Sequence, residues 1–589
     1  MERYALARVA LGKEPADIVI RGGKLVNVCT KEIYEADVAL KGDSIAYIGD
    51  CAHTIGENTE IIDAEGKYIC PGLIDQHIHT YESQMDVVEY ANAVVPLGVT
   101  GVVNDFYGEC VIGGIKAIRS SLDIAKKQTP LKIFFALPMP AYYQNLPFYH
   151  VGYPTEEEMI EMMDWEECVG LNDTFGSKMI ANDPKMLRLV EEAQKRRLEV
   201  CGHGSELSEI QSNAWMAYVH RTDDHECTQP EELLYKLRMG MYVSMRVGSG
   251  CVEIPKLARA LSYANVDTRH ITLNTDVCSP LRMSEEGHLD NCVRTCIRNG
   301  IHPIDAICMA TINTAECIRK DDLFGSVTPG KIADIILVKD LVDFRADTVI
   351  ANGRVVSRDG KLIEPFKRVP YPEYAYNTVR LKREIQASDF AIESTEDIPQ
   401  KVRVIGCSNE GIITSEIHTE VVPKNGFICS DTEKDILKIA SIERAKLSGD
   451  MYTALIHGFG LKSGAIASTY NPHNQHMTIV GTNDDDMAYA ANKLVEMGGG
   501  FVVVENGEVK AALPLPMYGL LSDMPLKKVV EGVRSVYSAS WDIGCVLSEP
   551  FHTLAFVGLP VIIGNLKISP TGLVDVWAEK NVPLFLEEQ

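Results

Sequence analysis

The sequence contains no CxxC pair among its 16 cysteines, and the closest spacing is Cys292 to Cys296. A zinc ribbon and a thioredoxin-like redox site are therefore excluded. No uninterrupted apolar stretch is long enough to span a bilayer. The first twenty residues, MERYALARVALGKEPADIVI, carry acids and lack the apolar core of a signal peptide. Basic residues are scarce: 57 Lys and Arg stand against 82 Asp and Glu, a net charge of −25. A surface so acidic repels nucleic acid and anionic membranes, so neither is an expected partner. Scattered cysteines without an export signal imply reduced thiols and a cytoplasmic location. Low-complexity segments and short-period repeats are also missing.

What remains is the composition of a soluble globular protein, 46% hydrophobic and 24% charged over 589 residues. That length corresponds to roughly two to four domains. Residues 17–70 alternate apolar and polar positions, as in DIVIRGGKLVNV, between Gly-rich turns. This predicts short antiparallel strands. After Pro71-Gly72 the texture changes. Apolar runs such as GVTGVVND and LKIFFALPMP alternate with amphipathic stretches such as DPKMLRLVEEAQKRRL up to about residue 314. Strand–helix alternation of this length predicts a parallel (β/α)8 barrel. From Gly325 the hairpin texture returns, and DTVIANGRVVS echoes ADIVIRGGKLVNV. The expected fold is α/β. A barrel over 71–314 interrupts a small β-sandwich built from both flanks, 1–70 and 315–365. A linker follows over 366–404, then an α+β domain over 405–589.

The chemistry concentrates in Pro71-Gly72-Leu73-Ile74-Asp75-Gln76-His77-Ile78-His79. GLID reads as a buried strand. Residues two apart on a strand face one side, so His77 and His79 point together into the mouth of a barrel. Two converging imidazoles can hold a divalent metal. His203 closes the short apolar run VCGH, His225 lies in DHEC, and Asp276 ends TLNTD. HxH, His, His and Asp thus stand in order at successive strand ends. The third region carries a further pair, His473 and His476, three apart in a polar loop. Asn483 followed by three aspartates reads as a capped helix start.

This order resembles the amidohydrolase superfamily and, in detail, the adenine deaminase family. The matching stretches include DHECTQPEELLYKLRMGMYVSMRVGS (224–249), EEGHLDNCVR (285–294), MATINTAECI (309–318) and GSVTPGKIADIILVKDL (325–341). In the third region they include GFGLKSGAIAS (458–468), VGTNDDDMAYAANKL (480–494), GGGFVVVENGEV (498–509) and LPLPMYGLLSD (513–523). The resemblance implies one or two divalent ions (Mn, Fe(II) or Zn) and a homo-oligomer. His77, His79 and Asp276 would bind one metal, and His203 and His225 the other. Asp173, at the place of the family's bridging glutamate, would join them with a side chain one methylene shorter. Lys178 nearby reads as a surface residue. Glu109, His473 and His476 are carried over as substrate-binding positions.

Several positions depart from the family. Asp105-Phe106-Tyr107-Gly108-Glu109 stands where the family has DPHE. Val247 and Val277 replace acids. Tyr81 is inserted before Glu82-Ser83-Gln84-Met85. The resemblance implies hydrolytic deamination of adenine to hypoxanthine and ammonia, with Asp276 as base and Glu82 or Glu226 as donor to the ring nitrogen. The alternative is another purine or cyclic amide or amidine ring as small-molecule substrate. The HxE…PCxxC pattern of the other zinc deaminase design is absent.

Overall fold

The computed structural model describes residues 3–139, 152–205, 207–264, 266–394, 398–409, 413–472, 474–560 and 564–586. Its centre is a sheet of eight parallel strands in chain order. They are Leu73–Ile78, Val99–Asn104, Lys132–Pro138, Cys168–Phe175, Glu199–His203, Thr222–Asp224, Tyr242–Arg246 and Ile271–Asn274. The first two are buried at every position. Strands covered by helices outside and by packed side chains inside have no wet face, so they read as continuous apolar runs. Helices between them bury one stripe. Pro184–Lys195, for example, starts on an Asp183 cap and buries Met186, Leu189, Val190 and Ala193. The last strand meets the first through a parallel bridge between Ile78 and Asp276. The closing bonds run from Asp276 N to the His77 carbonyl, 3.0 Å, and from His79 N to the Asp276 carbonyl, 2.9 Å. The barrel is therefore sewn shut by the residues singled out as ligands.

The two flanks share one nine-stranded sheet. Its seam is antiparallel, Tyr68–Pro71 against Ile335–Val338. A common core of Ile20, Val38, Ile69, Ile335 and Leu337 fills one face. The chain thus leaves the sheet at Pro71, builds the barrel and returns.

Part of the stretch read as a linker docks on the barrel. Arg368 Nε donates to Asp86 Oδ2 at 2.6 Å, and the backbone N–H of Phe366 donates to Asn92 at 2.7 Å. Strand Gln400–Gly406 already belongs to the C-terminal sheet of eight strands. Helices Asp484–Met497 and Leu526–Asp542 follow later. The first is capped by Asn483, whose side chain accepts from Asp486 N. At the mouth of the barrel, Ser522 N of this C-terminal region donates to the Gln84 carbonyl at 2.8 Å. Among the described residues no helix is long and apolar enough to cross a membrane.

Candidate metal centre

The HxH pair sits where the first strand bulges. Asp75 pairs with Val102, but Ile78 pairs with Asn104, so one extra residue is accommodated. His77 and His79 are both buried, with their rings edge to face at 4.7 Å. A second bulge lies on the fourth strand. Leu171 pairs with Val200 and Thr174 with Gly202, leaving Asn172 and Asp173 opposite Cys201 alone. Asp173 takes up the excess in a left-handed conformation, φ 50°. Such backbone is uncommon outside glycine, Asn and Asp, and it re-aims the side chain.

The re-aimed carboxylate is the hub of the cluster. Its Oδ1 lies 3.0 Å from His203 Nε2, 3.6 Å from His225 Nε2 and 3.7 Å from His77 Nε2. Its Oδ2 lies 3.7 Å from His79 Nε2. The shorter side chain thus still faces four imidazoles, because the bulge advances its Cα. Asp276 Oδ1 completes the ring, 3.4 Å from His77 Nε2 and 3.5 Å from His79 Nε2. Among the described residues three overlapping groups, His77–Asp173–His225, His77–His79–Asp276 and His79–Asp105–Asp173, could each hold an ion. The donor chemistry fits a divalent cation: imidazole and carboxylate lone pairs converge, and buried His77 Nε2 has no hydrogen-bond partner among the described residues.

A second layer holds these groups. His79 Nδ1 faces Asp105 Oδ2 at 3.1 Å, and that oxygen also accepts from Asn172 Nδ2 at 3.2 Å. His203 Nδ1 faces Glu226 Oε2 at 2.7 Å. Both contacts direct the opposite nitrogen, Nε2, toward the cluster. Asp224 Oδ1 accepts from Gly204 N at 3.2 Å and Glu226 N at 2.9 Å, fixing the turns just after His203 and just after His225. Asp224 is in turn paired with the fully buried Lys236, which also donates to Glu232 at 2.5 Å. Arg246 donates to Asp276 Oδ2 at 2.6 Å and forks onto Glu253.

Burial would raise the Asp276 carboxyl, but the Arg246 charge and the histidines hold it well below its usual range. Asp173 is likewise held low against burial, by His79 and by His203, which bonds to it. Burial would also raise Glu226; the charge of His203 and the hydrogen bond from it outweigh that and hold it low. His225 is pushed well down by burial and by the charges of His77 and His203, whereas, against burial, the carboxylates of Asp105 and Asp173 raise His79 and those of Glu226 and Asp173 raise His203.

Glu82 is the exception. It lies on the turn Thr80–Ser83 after His79, and its backbone N–H donates to the His79 carbonyl at 3.0 Å. Burial lifts its carboxyl to about 8, against the opposing charge of His79 and hydrogen bonding from Tyr470. Tyr470 comes from the C-terminal region. Glu109 lies on helix Tyr107–Gly113, is buried, and is also raised by burial to about 8. His476 is buried, while His473 lies outside the described residues. Val247 is buried and Val277 half-buried. Lys178 lies on the short helix Gly176–Ile180 and pairs with Glu579, away from the cluster.

Sequence reasoning passed over Asp105, Asp224, Lys236, Arg246 and Tyr470. Arg246 carried a usable signal, a charge ending the strand YVSMR that is buried at every position. Tyr470 carried none, because it lies in the loop after strand Ala465–Ser468 of another sheet.

Residues 68–356 match the model of the amidohydrolase family, and residues 411–580 match that of the adenine deaminase C-terminal domain. The chain is similar along its length to curated proteins described as adenine deaminase. That of Clostridium botulinum (strain ATCC 19397 / Type A) is 38% identical over 591 residues, covering 99% of this chain and 97% of that protein. That of Moorella thermoacetica is 36% identical over 584 residues, covering 98% and 97%. That of Ruegeria sp. (strain TM1040) is 35% identical over 589 residues, with the same coverage. With both domains matched and the relatives aligned end to end, this chain belongs to the adenine deaminase family of amidohydrolases.

Proposed function

We propose that the protein catalyses hydrolytic deamination of adenine to hypoxanthine and ammonia, with divalent metal held by His77, His79, Asp173, His203, His225 and Asp276. The reading draws on the family and on one observation in particular. The carboxylates of Asp173 and Asp276 face the imidazoles of His77, His79, His203 and His225 at 3.0–3.7 Å, a donor set that suits a hydrolytic divalent metal.

When bound, the cation supplies Lewis acidity that brings water toward ionisation near neutral pH. Asp276 would accept a proton from the attacking water as the water oxygen adds to the ring carbon bearing the amino group. Glu82 gives its proton to the adjacent ring nitrogen. Asp276 then passes its proton to the amino nitrogen, the C–N bond breaks, and ammonia leaves. The proton of the added hydroxyl returns to Glu82 as the carbonyl forms, so both carboxyl groups are restored. Glu226 is assigned to orienting His203 and not to donating, because its carboxylate is held ionised against that imidazole. Asp173, whose two oxygens face His77, His79, His203 and His225, would contribute its carboxylate to holding the metal. Arg246 fixes the outer oxygen of Asp276 and leaves the inner one to the cluster. Glu109 and His476 are assigned to the remainder of the substrate pocket.

The test is a screen of purines and cyclic amides for ammonia release by metal-reconstituted protein. Adenine should give the highest kcat/KM. Ammonia from another ring with none from adenine, or ring opening without ammonia, would overturn the assignment in favour of a different cyclic amide or amidine.

A further inference from the structure

The turn Thr80–Ser83 carries a second side chain inward beside Glu82. Tyr81 has no solvent exposure, and its ring lies 6.0 Å from the His79 ring and 6.3 Å from the Tyr470 ring. The seat is made by Gly108. A Cβ placed there would lie 2.7 Å from Tyr81 Cγ and 2.8 and 3.0 Å from its two Cδ atoms. These atoms are the root of the ring, which cannot swing away as a flexible chain end could. The close approach therefore requires a glycine.

The tyrosine has been given room, yet its hydroxyl is buried without a hydrogen-bond partner among the described residues. Packing does not explain it. Phenylalanine would fill the same volume without the cost of an unsatisfied buried hydroxyl. The next residue repeats the pattern, since Glu82 Oε2 is also buried and unpartnered. Three consecutive residues following His79, namely Thr80, Tyr81 and Glu82, thus hold buried polar atoms without a hydrogen-bond partner among the described residues.

We propose that the Tyr81 hydroxyl is a recognition group for the substrate ring, donating a hydrogen bond to a ring-nitrogen acceptor of the purine. Gly108 is the small residue that seats it. The inference rests on the adenine-deaminating reading of this site. Glu82 is occupied with the nitrogen adjacent to the reacting carbon. Tyr81 is left with an acceptor elsewhere on the bicycle, the nitrogen at position 3 or position 7.

The experiment pairs Tyr81→Phe with substrate analogues in the metal-loaded, full-length protein. Tyr81→Phe should keep its thermal unfolding profile and metal content. Its kcat/KM for adenine should fall roughly tenfold, carried mainly by KM. Either 3-deazaadenine or 7-deazaadenine, tested as substrate or competitor, should bind wild type roughly tenfold more weakly than adenine, and that penalty should vanish in Tyr81→Phe. Gly108→Ala should lose at least as much kcat/KM as Tyr81→Phe, and should add no further loss in a Tyr81→Ala background. Unchanged kcat/KM in Tyr81→Phe, or deaza penalties equal in variant and wild type, would overturn the role. Wild type that releases no ammonia from adenine would sink the reading beneath it. Wild type that deaminates adenine alongside an unaffected Tyr81→Phe would sink only this inference.

Discussion

Replacing Asp276 by asparagine tests the centre of the proposed chemistry, and the structure makes the expected loss larger than that of a missing base. Both carboxylate oxygens have employers. Oδ2 accepts from Arg246 at 2.6 Å, and Oδ1 faces His77 and His79 at 3.4 and 3.5 Å on the side where a cation would sit. Asparagine has the same shape but one acceptor and one NH2. With the oxygen toward the cluster, the NH2 meets the Arg246 guanidinium, donor against donor. With the amide flipped, the NH2 faces the lone pairs of the cluster. Either arrangement leaves a buried polar group unsatisfied, at a cost of about 1–3 kcal/mol. Loss of proton acceptance adds a factor on the order of a thousand, equivalent to about 4 kcal/mol. Ammonia release should therefore fall by roughly a thousandfold or more. Metal content by elemental analysis or the unfolding midpoint should fall with it. An Asp276→Asn protein with full metal, an unchanged midpoint and activity within about tenfold of wild type would refute both the role and the geometry behind it.

Three further outcomes follow from the same cluster. Asp173→Ala removes the carboxylate that faces four imidazoles, so at least one metal equivalent and most activity should go, and an unchanged metal count would end the bridging role. Glu82 must be protonated to donate, and burial lifts it from 4.5 to about 8. Activity should therefore be present below that value and be lost as pH rises through it. A bound cation would pull the limb lower, never higher. A kcat/KM profile flat through pH about 9, or a Glu82→Gln variant without a loss of roughly a hundredfold or more, would exclude Glu82 as the acid. Lys236→Met strands Asp224 in a site where both side chains are fully buried, which should cost about 3–5 kcal/mol in denaturant unfolding. Metal occupancy should drop too, since Asp224 fixes the turns after His203 and His225. Wild-type stability together with wild-type metal content would show the pair to be dispensable.

The sequence by itself determined what local periodicity can determine. The period of two in strands put His77 and His79 on one side. Strand–helix alternation placed His203, His225 and Asp276 at the same end of a barrel. The echo between 17–28 and 347–357 assigned both flanks to one small β-sandwich, and the structure joins them in a single nine-stranded sheet, with Tyr68–Pro71 paired to Ile335–Val338. Asp173 marks the limit of that logic. Its residue type was legible, but its reach depends on a bulge, and a bulge exists only relative to the neighbouring strand at Val200–Gly202. Arg246, Asp224 and Lys236 act through contacts with residues on other elements, so nothing in their own surroundings along the chain announces them. Tyr470 arrives from a separate sheet, and Tyr81 matters only because Gly108 leaves room for its ring. Register, bulges and the meeting of domains are set by partners remote in sequence. Those partners are brought together by burial of apolar surface that carries no directional information. The positions of the proposed ligands could therefore be read from the chain, whereas the groups that pack against them were decided by tertiary structure.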